Sequence, residues 1–577
     1  MKKITALLMM LSFMAVLFSS CELVEEEEDE QPSEEYINET IDTDVTWQGG
    51  TYIIEGTLRI ENGGHLTIDP GTTIKFEDGG SISVAGANSA LTAVGTANAQ
   101  ITFTSVSNTP SAGSWDYINF ESTATGTSSL QYCIIEYGGG YASTYGGALW
   151  IEGPSLSVDH CTISNSAVYG VVCEDDSEFA SFSNNTFMDN QSYDIFIEGN
   201  AAHTIGPGNL IEGSGILVDG DTYTHSDGTW SLQTAPFTID GTLSVQSDGG
   251  ATLNIAAGNT IQFTDGSQMT VGSDGYGTFK AVGTEDLPIL FTSTSVQKQG
   301  GQWDYISFES GAVSSELNYC IVEAAGGYAS YVGAIDIDGA AVTINNTEIR
   351  LSATYGITLD DAGSFASFTG NDIHDVDNYV MLIYGNWAHT IGTANNYGED
   401  DLGILVHGDA FEHTNETWLF QSTAYVIDGT LSIESTSGST LEIQAGSTVK
   451  FTDGSEISVG STEFGKLVVN GTSALPVTFT TSAPAGGEQP GDWDGIFFES
   501  NTMNGSILNY CNISYGGGYA STYNNGNVNL GNVPSGEPTI SNCIISYSAG
   551  WGIYNDNSSP TLISNTYNGN ANGDIGN

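Results

Sequence analysis

Basic residues are scarce in this 577-residue chain, which has 9 Lys and Arg against 70 Asp and Glu and a formal net charge of −61. Phosphate binding depends on Lys and Arg, so this balance excludes nucleic acid and anionic membrane surfaces as partners. Two of the nine, Lys2 and Lys3, lie at the extreme N-terminus. The folded part is therefore even more acidic.

Common enzyme and metal motifs are also absent from the sequence. It has no GxSxG, HExxH, Walker or EF-hand loop pattern, and its seven cysteines form no CxxC or Cys/His cluster. We assign no catalytic residue and no metal ligand, and we expect no cofactor. Ca²⁺ alone is left open, without assigned ligands, because a strongly acidic surface attracts divalent cations.

Helical periodicity is absent beyond the N-terminus, and 73 glycines would penalise helices. Residues 57–104 instead carry apolar pairs spaced by two, as strands do, with Gly, Asp, Asn and Pro between them. Hairpins are one interpretation of such short strands. The third-neighbour spacings, 24 from Leu58 to Ile82, 25 from Leu66 to Leu91 and 27 from Ile74 to Ile101, favour a three-sided parallel coil.

One long unit occurs three times. Phe76, Phe263 and Phe451 are 187 and 188 positions apart, and the sequences around them, "GTTIKFEDGG", "GNTIQFTDGS" and "GSTVKFTDGS", match closely. Self-similarity at a fixed period indicates a repeat architecture. We place the three segments at 45–215, 216–403 and 404–577. At about 24 residues per coil, each would hold roughly eight coils and span about 40 Å.

The phrases "LTIDPGTTIKF", "LTAVGTANAQITFTS", "SWDYINFES" and "LQYCIIEYGG" resemble the right-handed parallel β-helix superfamily. The resemblance implies an all-β fold, a right-handed parallel β-helix, stacked here into an elongated rod. It is closest to bacterial surface and secreted β-helix proteins, and the superfamily also contains pectate lyases and polygalacturonases. Fold alone does not choose among these functions.

Enzymes of that superfamily imply residues that can be sought here. Lyases would need an Arg or Lys base, and none of the few basic residues lies in a recognisable motif. Hydrolases pair carboxylates. The candidates for such pairs are Asp175 with Asp176 and Asp360 with Asp361, which we interpret mainly as solvated acids at a coil turn.

Cysteines recur at comparable points of successive coils, as in Cys133 and Cys161 and again in Cys511 and Cys543. In the middle segment Cys320 has Thr347 as its counterpart. A required disulfide would not tolerate this threonine. We therefore favour a ladder of buried thiols, with disulfides in the outer segments as the alternative.

Histidines recur near the segment junctions in "AHTIG", which contains His203 and His389. They recur again in "DGDTYTH" and "HGDAFEH". A metal site at His225 or His413, completed by Asp221 or Asp409, is the less favoured interpretation. A turn or junction role is preferred.

The N-terminus, "MKKITALLMMLSFMAVLFSSC", is typical of an export signal over residues 1–20, with a basic start and an apolar run too short and too early for an ordinary span. Its end resembles a bacterial lipobox with Cys21 as the lipidated residue, although Phe18 departs from the usual aliphatic residue. Ordinary secretory cleavage nearby is the alternative. The acidic stretch over 21–44 would be a flexible tether. We expect an outer-membrane lipoprotein facing the cell exterior, attached by its lipid alone.

A glycine-tyrosine phrase recurs once per segment, as "GGGYASTYGG", "GGYASY" and "GGGYASTY". It lies between strands, so it forms a loop, and loops on rigid scaffolds carry function. The candidate ligand-binding residues are Tyr141, Tyr145, Tyr328, Tyr331, Tyr519 and Tyr523. The alternative is that these rings brace a turn.

The sequence thus predicts a monomeric surface protein that binds a polysaccharide or a surface protein without catalysis. A polysaccharide-active β-helix enzyme and a structural spacer are the two alternatives. With a whole number of coils per segment, the three tyrosine loops would lie on one side of the rod.

Overall fold

The computed structural model describes residues 34–141, 146–153, 155–174, 177–360, 362–398, 402–519, 525–535 and 537–577. Within them the chain is all β, apart from two 3₁₀ helices, Ala202–Thr204 and Ala388–Thr390. Neighbouring strands pair in parallel in each of the seven sheets. The predicted all-β parallel β-helix is confirmed. Over the same residues no helix has the length and hydropathy to cross a membrane.

The first part of the chain contributes to three sheets. Sheet 1 contains Glu34–Ile37, Thr51–Glu55, Thr73–Phe76, Ile101–Ser105, Cys133–Glu136, Thr162–Ser164, Thr186–Met188 and Leu210–Ile211. Sheet 2 contains Thr40–Ile41, Thr57–Ile60, Ser81–Val84, Ile118–Phe120, Gly147–Ile151, Tyr169–Cys173, Ile195–Glu198, Ile216–Asp219, Phe237–Asp240, Thr260–Phe263, Ile289–Ser293, Cys320–Glu323, Glu348–Ser352, Asp372–Val376 and Asn396–Tyr397. Sheet 3 contains Asp44–Trp47, His65–Ile68, Ala90–Val94, Ser128–Gln131, Leu156–Asp159 and Phe179–Ser183.

The middle of the chain adds two more sheets. Sheet 4 contains Thr222–Tyr223, Thr242–Val245, Gln268–Val271, Ile306–Phe308, Ile335–Ile337, Ile357–Leu359, Met381–Tyr384, Ile404–His407, Tyr425–Asp428, Thr448–Phe451, Val477–Thr481, Cys511–Ser514, Ile544–Ser546 and Thr566–Asn568. Sheet 5 contains Gly228–Trp230, Ala251–Ile255, Gly277–Val282, Glu316–Asn318, Ala341–Asn345 and Ser364–Thr369.

The last part of the chain completes the rod with sheets 6 and 7. Sheet 6 contains Ala410–Phe411, Thr430–Ile433, Glu456–Val459, Gly495–Phe498, Gly526–Gly531, Trp551–Asp556 and Gly573–Gly576. Sheet 7 contains Glu416–Trp418, Ser439–Ile443, Gly465–Asn470, Ile507–Asn509, Thr539–Ser541 and Thr561–Ile563.

The predicted stacking of like on like is visible in the strand register. Leu58 lies opposite Ile82, and Leu66 lies opposite Leu91, as their spacing indicated. The third predicted pair was wrong by two residues, because Ile74 lies opposite Phe103 rather than Ile101. A shift of two keeps the same face of the strand inward, so the core pattern is unaffected. One apolar core runs from Ile41 to Ile553.

Each segment is built from three sheets. At each junction one sheet continues into the next segment and the other two are replaced, and we call this the face exchange. At the first junction sheet 1 ends at Leu210–Ile211 and sheet 4 begins at Thr222–Tyr223, while sheet 2 continues without a break. The first segment is thus built from sheets 1, 2 and 3, the second from sheets 2, 4 and 5, and the third from sheets 4, 6 and 7.

A 3₁₀ helix replaces a strand at each junction. Thr204 Oγ1 accepts a hydrogen bond from the Phe179 N–H at 3.3 Å, and the Gly206 N–H donates to the Phe182 carbonyl at 2.9 Å. The Ala202–Thr204 helix therefore caps sheet 3. On its other side the Gln233 side chain donates to the Gly206 carbonyl at 2.9 Å and ties it to the coil that opens sheet 5.

The number of coils per segment differs from the sequence expectation. The equivalent strands Thr73–Phe76 and Thr260–Phe263 are 22 elements apart when the 3₁₀ helix is counted. At three elements per coil this is about seven and a third coils, an axial distance of about 35 Å. The prediction of eight coils was wrong, because a junction adds one face rather than a complete coil.

A polar ladder runs up one corner of the rod. The Cys161 N–H donates to Asn185 Oδ1 at 2.9 Å, and the Asn185 N–H donates to Asn209 Oδ1 at 3.0 Å. Cysteine or threonine occupies the same corner elsewhere, since the Cys133 N–H approaches Cys161 Sγ and the Cys320 N–H approaches Thr347 Oγ1, each at 3.4 Å. The described cysteines are free and buried, in line with the thiol ladder favoured from the sequence.

Candidate functional site

An exposed tyrosine sits against a second aromatic ring at the same place in every segment. Tyr328 meets Tyr305 edge to face at a centroid distance of 5.3 Å, and Tyr519 meets Phe497 at 5.6 Å. In the first segment Tyr141 contacts Tyr117 at 5.4 Å and Trp150 at 6.2 Å. Such edge contacts orient a ring and leave one of its faces open.

The loop that carries each tyrosine is built on a buried tryptophan. In the middle segment Trp303 stacks on Phe263 at 4.1 Å, and its Nε1 donates to the Glu323 carbonyl at 2.8 Å. The Gly327 N–H returns a hydrogen bond to the Trp303 carbonyl at 3.0 Å. The outer segments repeat the stacking with Phe76–Trp115 and Phe451–Trp493.

Glycine is needed in this loop for two reasons. Gly326 has φ +86°, a conformation that side chains with a Cβ rarely adopt. A Cβ there would also lie 2.6 Å from Ser352 Oγ and 2.8 Å from Thr354 Oγ1. The equivalent glycines, Gly139 and Gly517, have φ values of +80° and +83°. The glycines of the repeated phrase are therefore structural.

The tyrosines that follow these glycines are exposed. The exposed fraction is 45% for Tyr141, 58% for Tyr328 and 43% for Tyr519, and Tyr331 reaches 71%. Tyr145 and Tyr523, the other two predicted ligand-binding residues, lie outside the described residues. A ligand-binding role for all six stays a prediction.

The three loops do not lie along one side of the rod. The first connects Cys133–Glu136 of sheet 1 to Gly147–Ile151 and so precedes the strands of sheet 2. The second follows Cys320–Glu323, at the opposite end of the strands of the same sheet. The third loop is displaced from the second in the same way. The second loop precedes the sheet 4 strand Ile335–Ile337, whereas the third follows the sheet 4 strand Cys511–Ser514. The expectation of a common side fails because each junction advances the faces by one.

The middle segment has a cleft of about 330 Å³ beside its tyrosine loop. It is lined by Tyr331, Leu382 and Tyr384 together with three acids, Asp336, Asp338 and Asp360. Other segments differ at these places. In the parallel register, Trp150 and Asn529 occupy the position of Asp336. Among these three equivalent positions, only that of the second segment has an acid.

Asp338 and Asp360 act as a pair. The hydrogen bond with Asp360, followed by burial, raises the pKa of Asp338 to about 7. Asp360 Oδ1 also accepts hydrogen bonds from the Gly339, Ala362 and Gly363 N–H groups at 3.0 to 3.2 Å. Burial raises the pKa of Asp336. The hydrogen bond that the Thr358 hydroxyl donates to the Asp336 carboxylate lowers this pKa in part. Of the sequence candidates for paired carboxylates, Asp360 is in this cleft, whereas Asp175, Asp176 and Asp361 lie outside the described residues.

Carboxylates also form a column along the rod at one end of the sheet 2 strands. Glu198 lies opposite Asp219, which lies opposite Asp240. The residues that directly follow the in-register strands of the preceding coils are acidic as well, namely Glu121, Glu152 and Glu174. At about 4.8 Å per coil, such a column repels polyanions.

The arginines and Lys298 are occupied by structural contacts. Arg59 contacts Glu61 at 3.1 Å and Glu121 at 3.3 Å, and Arg350 contacts Glu323 at 2.7 Å. Lys298 donates to the Ser293 carbonyl at 2.6 Å. The described residues that line the cleft include no Arg or Lys.

The junction histidines have different neighbours from those expected. His225 Nε2 lies 3.0 Å from Glu178 Oε1, and its ring centroid is 4.3 Å from that of His203. Burial, followed by the nearby His225, lowers the pKa of His203. Glu178 was not singled out from the sequence. The histidines were noticed because they recur at both junctions, whereas the counterpart of Glu178 at the second junction is Ser364.

A family model supports the β-helix architecture over two stretches of the chain. Residues 39–149 and 411–531 match the family model described as a pectate-lyase like beta helix domain. No curated protein sequence matches the chain. One similar solved structure is described as a mannuronic acid specific polysaccharide family 6 lyase from human gut microbiota, at 10% identity and a TM-score of 0.17, covering 75% of this chain and 88% of the other. The chain is thus a parallel β-solenoid in which residues 39–149 and 411–531 are each similar to a pectate-lyase-like β-helix domain.

Proposed function

We propose that the protein is a cell-surface β-helix whose tyrosine loops bind neutral carbohydrate without chemically changing it. The observation that carries this proposal is the recurrence of one exposed tyrosine per segment, each supported by another aromatic ring and placed on a rigid glycine-tryptophan base. An aromatic face with a fixed orientation suits the C–H face of a sugar ring, because little conformational freedom is lost on binding.

The charge of the molecule selects among carbohydrate classes. With a formal net charge of −61 and acidic columns along the rod, uronate polymers and other polyanions are repelled. Neutral or amino sugars meet no such barrier. A carboxylate beside the rings, such as Asp336, accepts hydrogen bonds from sugar hydroxyls.

The test is a screen of the full chain on a glycan array, followed by affinity measurement for the best neutral glycan. The variant Tyr141→Ala/Tyr328→Ala/Tyr519→Ala should lose about fivefold in affinity at each loop, since each stacked ring contributes on the order of 1 kcal/mol. The matched control is Tyr276→Ala, because Tyr276 is 60% exposed and lies outside the three loops. Equal affinity of the triple variant and the control would refute the proposal.

A second candidate function is glycoside hydrolysis in the middle-segment cleft, which the Asp338–Asp360 pair favours. A carboxyl with a pKa near 7 can give its proton to a glycosidic oxygen. The second carboxylate must lie about 5 Å or more away so that the sugar and the attacking water fit between them, so this role falls to Asp336 and not to the hydrogen-bonded Asp360. Reducing-sugar release that disappears in Asp338→Asn and Asp336→Asn would support hydrolysis. Release that survives both substitutions would exclude this cleft as its source.

We also propose that Cys21 carries the lipid that holds the protein on the outer face of the outer membrane. Cys21 and residues 22–33 of the acidic stretch precede the described residues, and the support is the signal-like sequence before Cys21. Cys21→Ser should move the protein from the membrane fraction to the soluble fraction. Surface proteolysis of intact cells should cleave the wild type. Unchanged fractionation of the variant would contradict the anchor.

A further inference from the structure

Three potential metal ligands converge at the first junction. Glu178 lies just before Phe179–Ser183, His203 lies in the Ala202–Thr204 helix, and His225 follows Thr222–Tyr223. One ligand atom from each falls within 4.8 Å of the others. The three residues come from three successive coils, so their meeting is produced by the face exchange.

The histidines are oriented as metal ligands are. His203 Nδ1 lies 3.0 Å from the Asn200 carbonyl oxygen, an arrangement that fixes the ring and leaves Nε2 as the free lone pair. His225 Nε2 is buried and makes no hydrogen bond among the described residues, although it lies 3.0 Å from Glu178 Oε1. A cation between these atoms would satisfy both nitrogens.

We propose that Glu178, His203 and His225 form a binding site for a first-row transition metal ion of the Zn²⁺ class. Two imidazole nitrogens and one carboxylate oxygen match the ligand preference of Zn²⁺ and differ from the all-oxygen preference of Ca²⁺ and Mg²⁺. Three protein ligands leave a fourth position for water or another donor. The ion would clamp three coils at the point where sheet 3 ends.

The second junction supplies an internal control. His389 and His413 have the same centroid distance of 4.3 Å, and His389 Nδ1 lies 2.9 Å from the Asn386 carbonyl. Ser364 occupies the place of Glu178, so the carboxylate is missing. Trp387 lies 5.4 Å from His413. Two histidines without a carboxylate should bind the ion far more weakly.

The experiment is Zn²⁺ titration by calorimetry of the metal-stripped full chain, with excess Mg²⁺ present to occupy sites made only of oxygen ligands. Wild type should bind one Zn²⁺ with an affinity that falls at least tenfold in Glu178→Ser, His203→Ala and His225→Ala. His389→Ala and His413→Ala should bind as wild type does. Unfolding temperatures of the metal-free variants check that the fold survives, and Glu178→Ser, which reproduces the second junction, should leave it intact.

Three results would overturn the assignment. The first is no Zn²⁺ binding by wild type above the level of the triple Glu178, His203 and His225 variant. The second is unchanged binding in Glu178→Ser. The third is an equal loss in His413→Ala, which would show that the carboxylate is irrelevant. Saturating Zn²⁺ should also raise the unfolding temperature of wild type and not of Glu178→Ser, because a ligand that binds only the folded state stabilises it.

Discussion

The substitution Gly326→Ala tests whether the glycines of the repeated loops are required by the fold. Alanine at φ +86° costs about 1–2 kcal/mol from its backbone conformation alone. Its Cβ would also press on Ser352 Oγ and Thr354 Oγ1, which are held because they donate to the Tyr355 and Val332 carbonyls. Forcing them aside costs about a further 1–3 kcal/mol.

The control is Gly266→Ala, because Gly266 has φ +73° and a Cβ added there would have no neighbouring atom within 4 Å. It should cost only the backbone part, about 1–2 kcal/mol. Hydrogen exchange read on peptides over Cys320–Glu323 and Ile335–Ile337 measures the local opening free energy, which suits a solenoid that does not unfold as one unit. Gly326→Ala should accelerate exchange at its site, relative to wild type, at least about tenfold more than Gly266→Ala accelerates exchange at its own site. Equal effects of the two substitutions would refute the packing argument.

Three further predictions concern the ladder, the thiols and the carboxylate pair. Asn371→Ala should lower the free energy of local unfolding by about 1–3 kcal/mol, because the Thr347 N–H and the Ile344 carbonyl lose their partner. Asn396→Ala on the surface should change it by less than about 0.5 kcal/mol. Hydrogen exchange on peptides around each site checks both values. The six described thiols should resist a thiol-reactive dye until urea unfolds the chain, because all six are buried. Burial also raises the pKa of the Cys320 thiol to about 12, which slows its reaction further. Fast labelling of the folded protein would contradict this prediction. The folded pKa of Asp338 is raised from 3.8 to about 7, so its contribution to stability is present at low pH and is lost as pH rises through 7. The unfolding temperature of wild type, measured relative to that of Asp338→Asn, should therefore fall between about pH 4 and about pH 8. A difference that stays constant with pH would be evidence against a proton shared by Asp338 and Asp360.

The fold could be predicted from the sequence because each inward strand leaves a clear mark. Leu58, Ile82 and their successors repeat at the length of one coil, and alternation fixes which side chains face inward. The tryptophans and their phenylalanine partners recur at the segment spacing, so their pairing in every segment was implicit in the repeat.

The face exchange could not be predicted, because the element that causes it does not alternate. The "AHTIG" segments form 3₁₀ helices where a strand would otherwise lie, and this adds one face to each repeat. The cleft acids were missed for a related reason. Asp336 and Asp338 alternate with Ile335 and Ile337, a pattern typical of the ordinary solvent side of a strand. Asp336 and Asp338 become part of an acidic cluster only because the next coil places Asp360 beside them.

The most direct test of the proposed function is the number of binding sites per chain. Because the loops are about 35 Å apart along the axis and are displaced around it, a short neutral oligosaccharide should bind them independently. Calorimetry with the best glycan should give three equivalent sites in wild type. Each of Tyr141→Ala, Tyr328→Ala and Tyr519→Ala should keep two sites of unchanged affinity and have one weakened about fivefold, which corresponds to the loss of about 1 kcal/mol. A single site whose occupancy is the same in all four proteins would contradict the account.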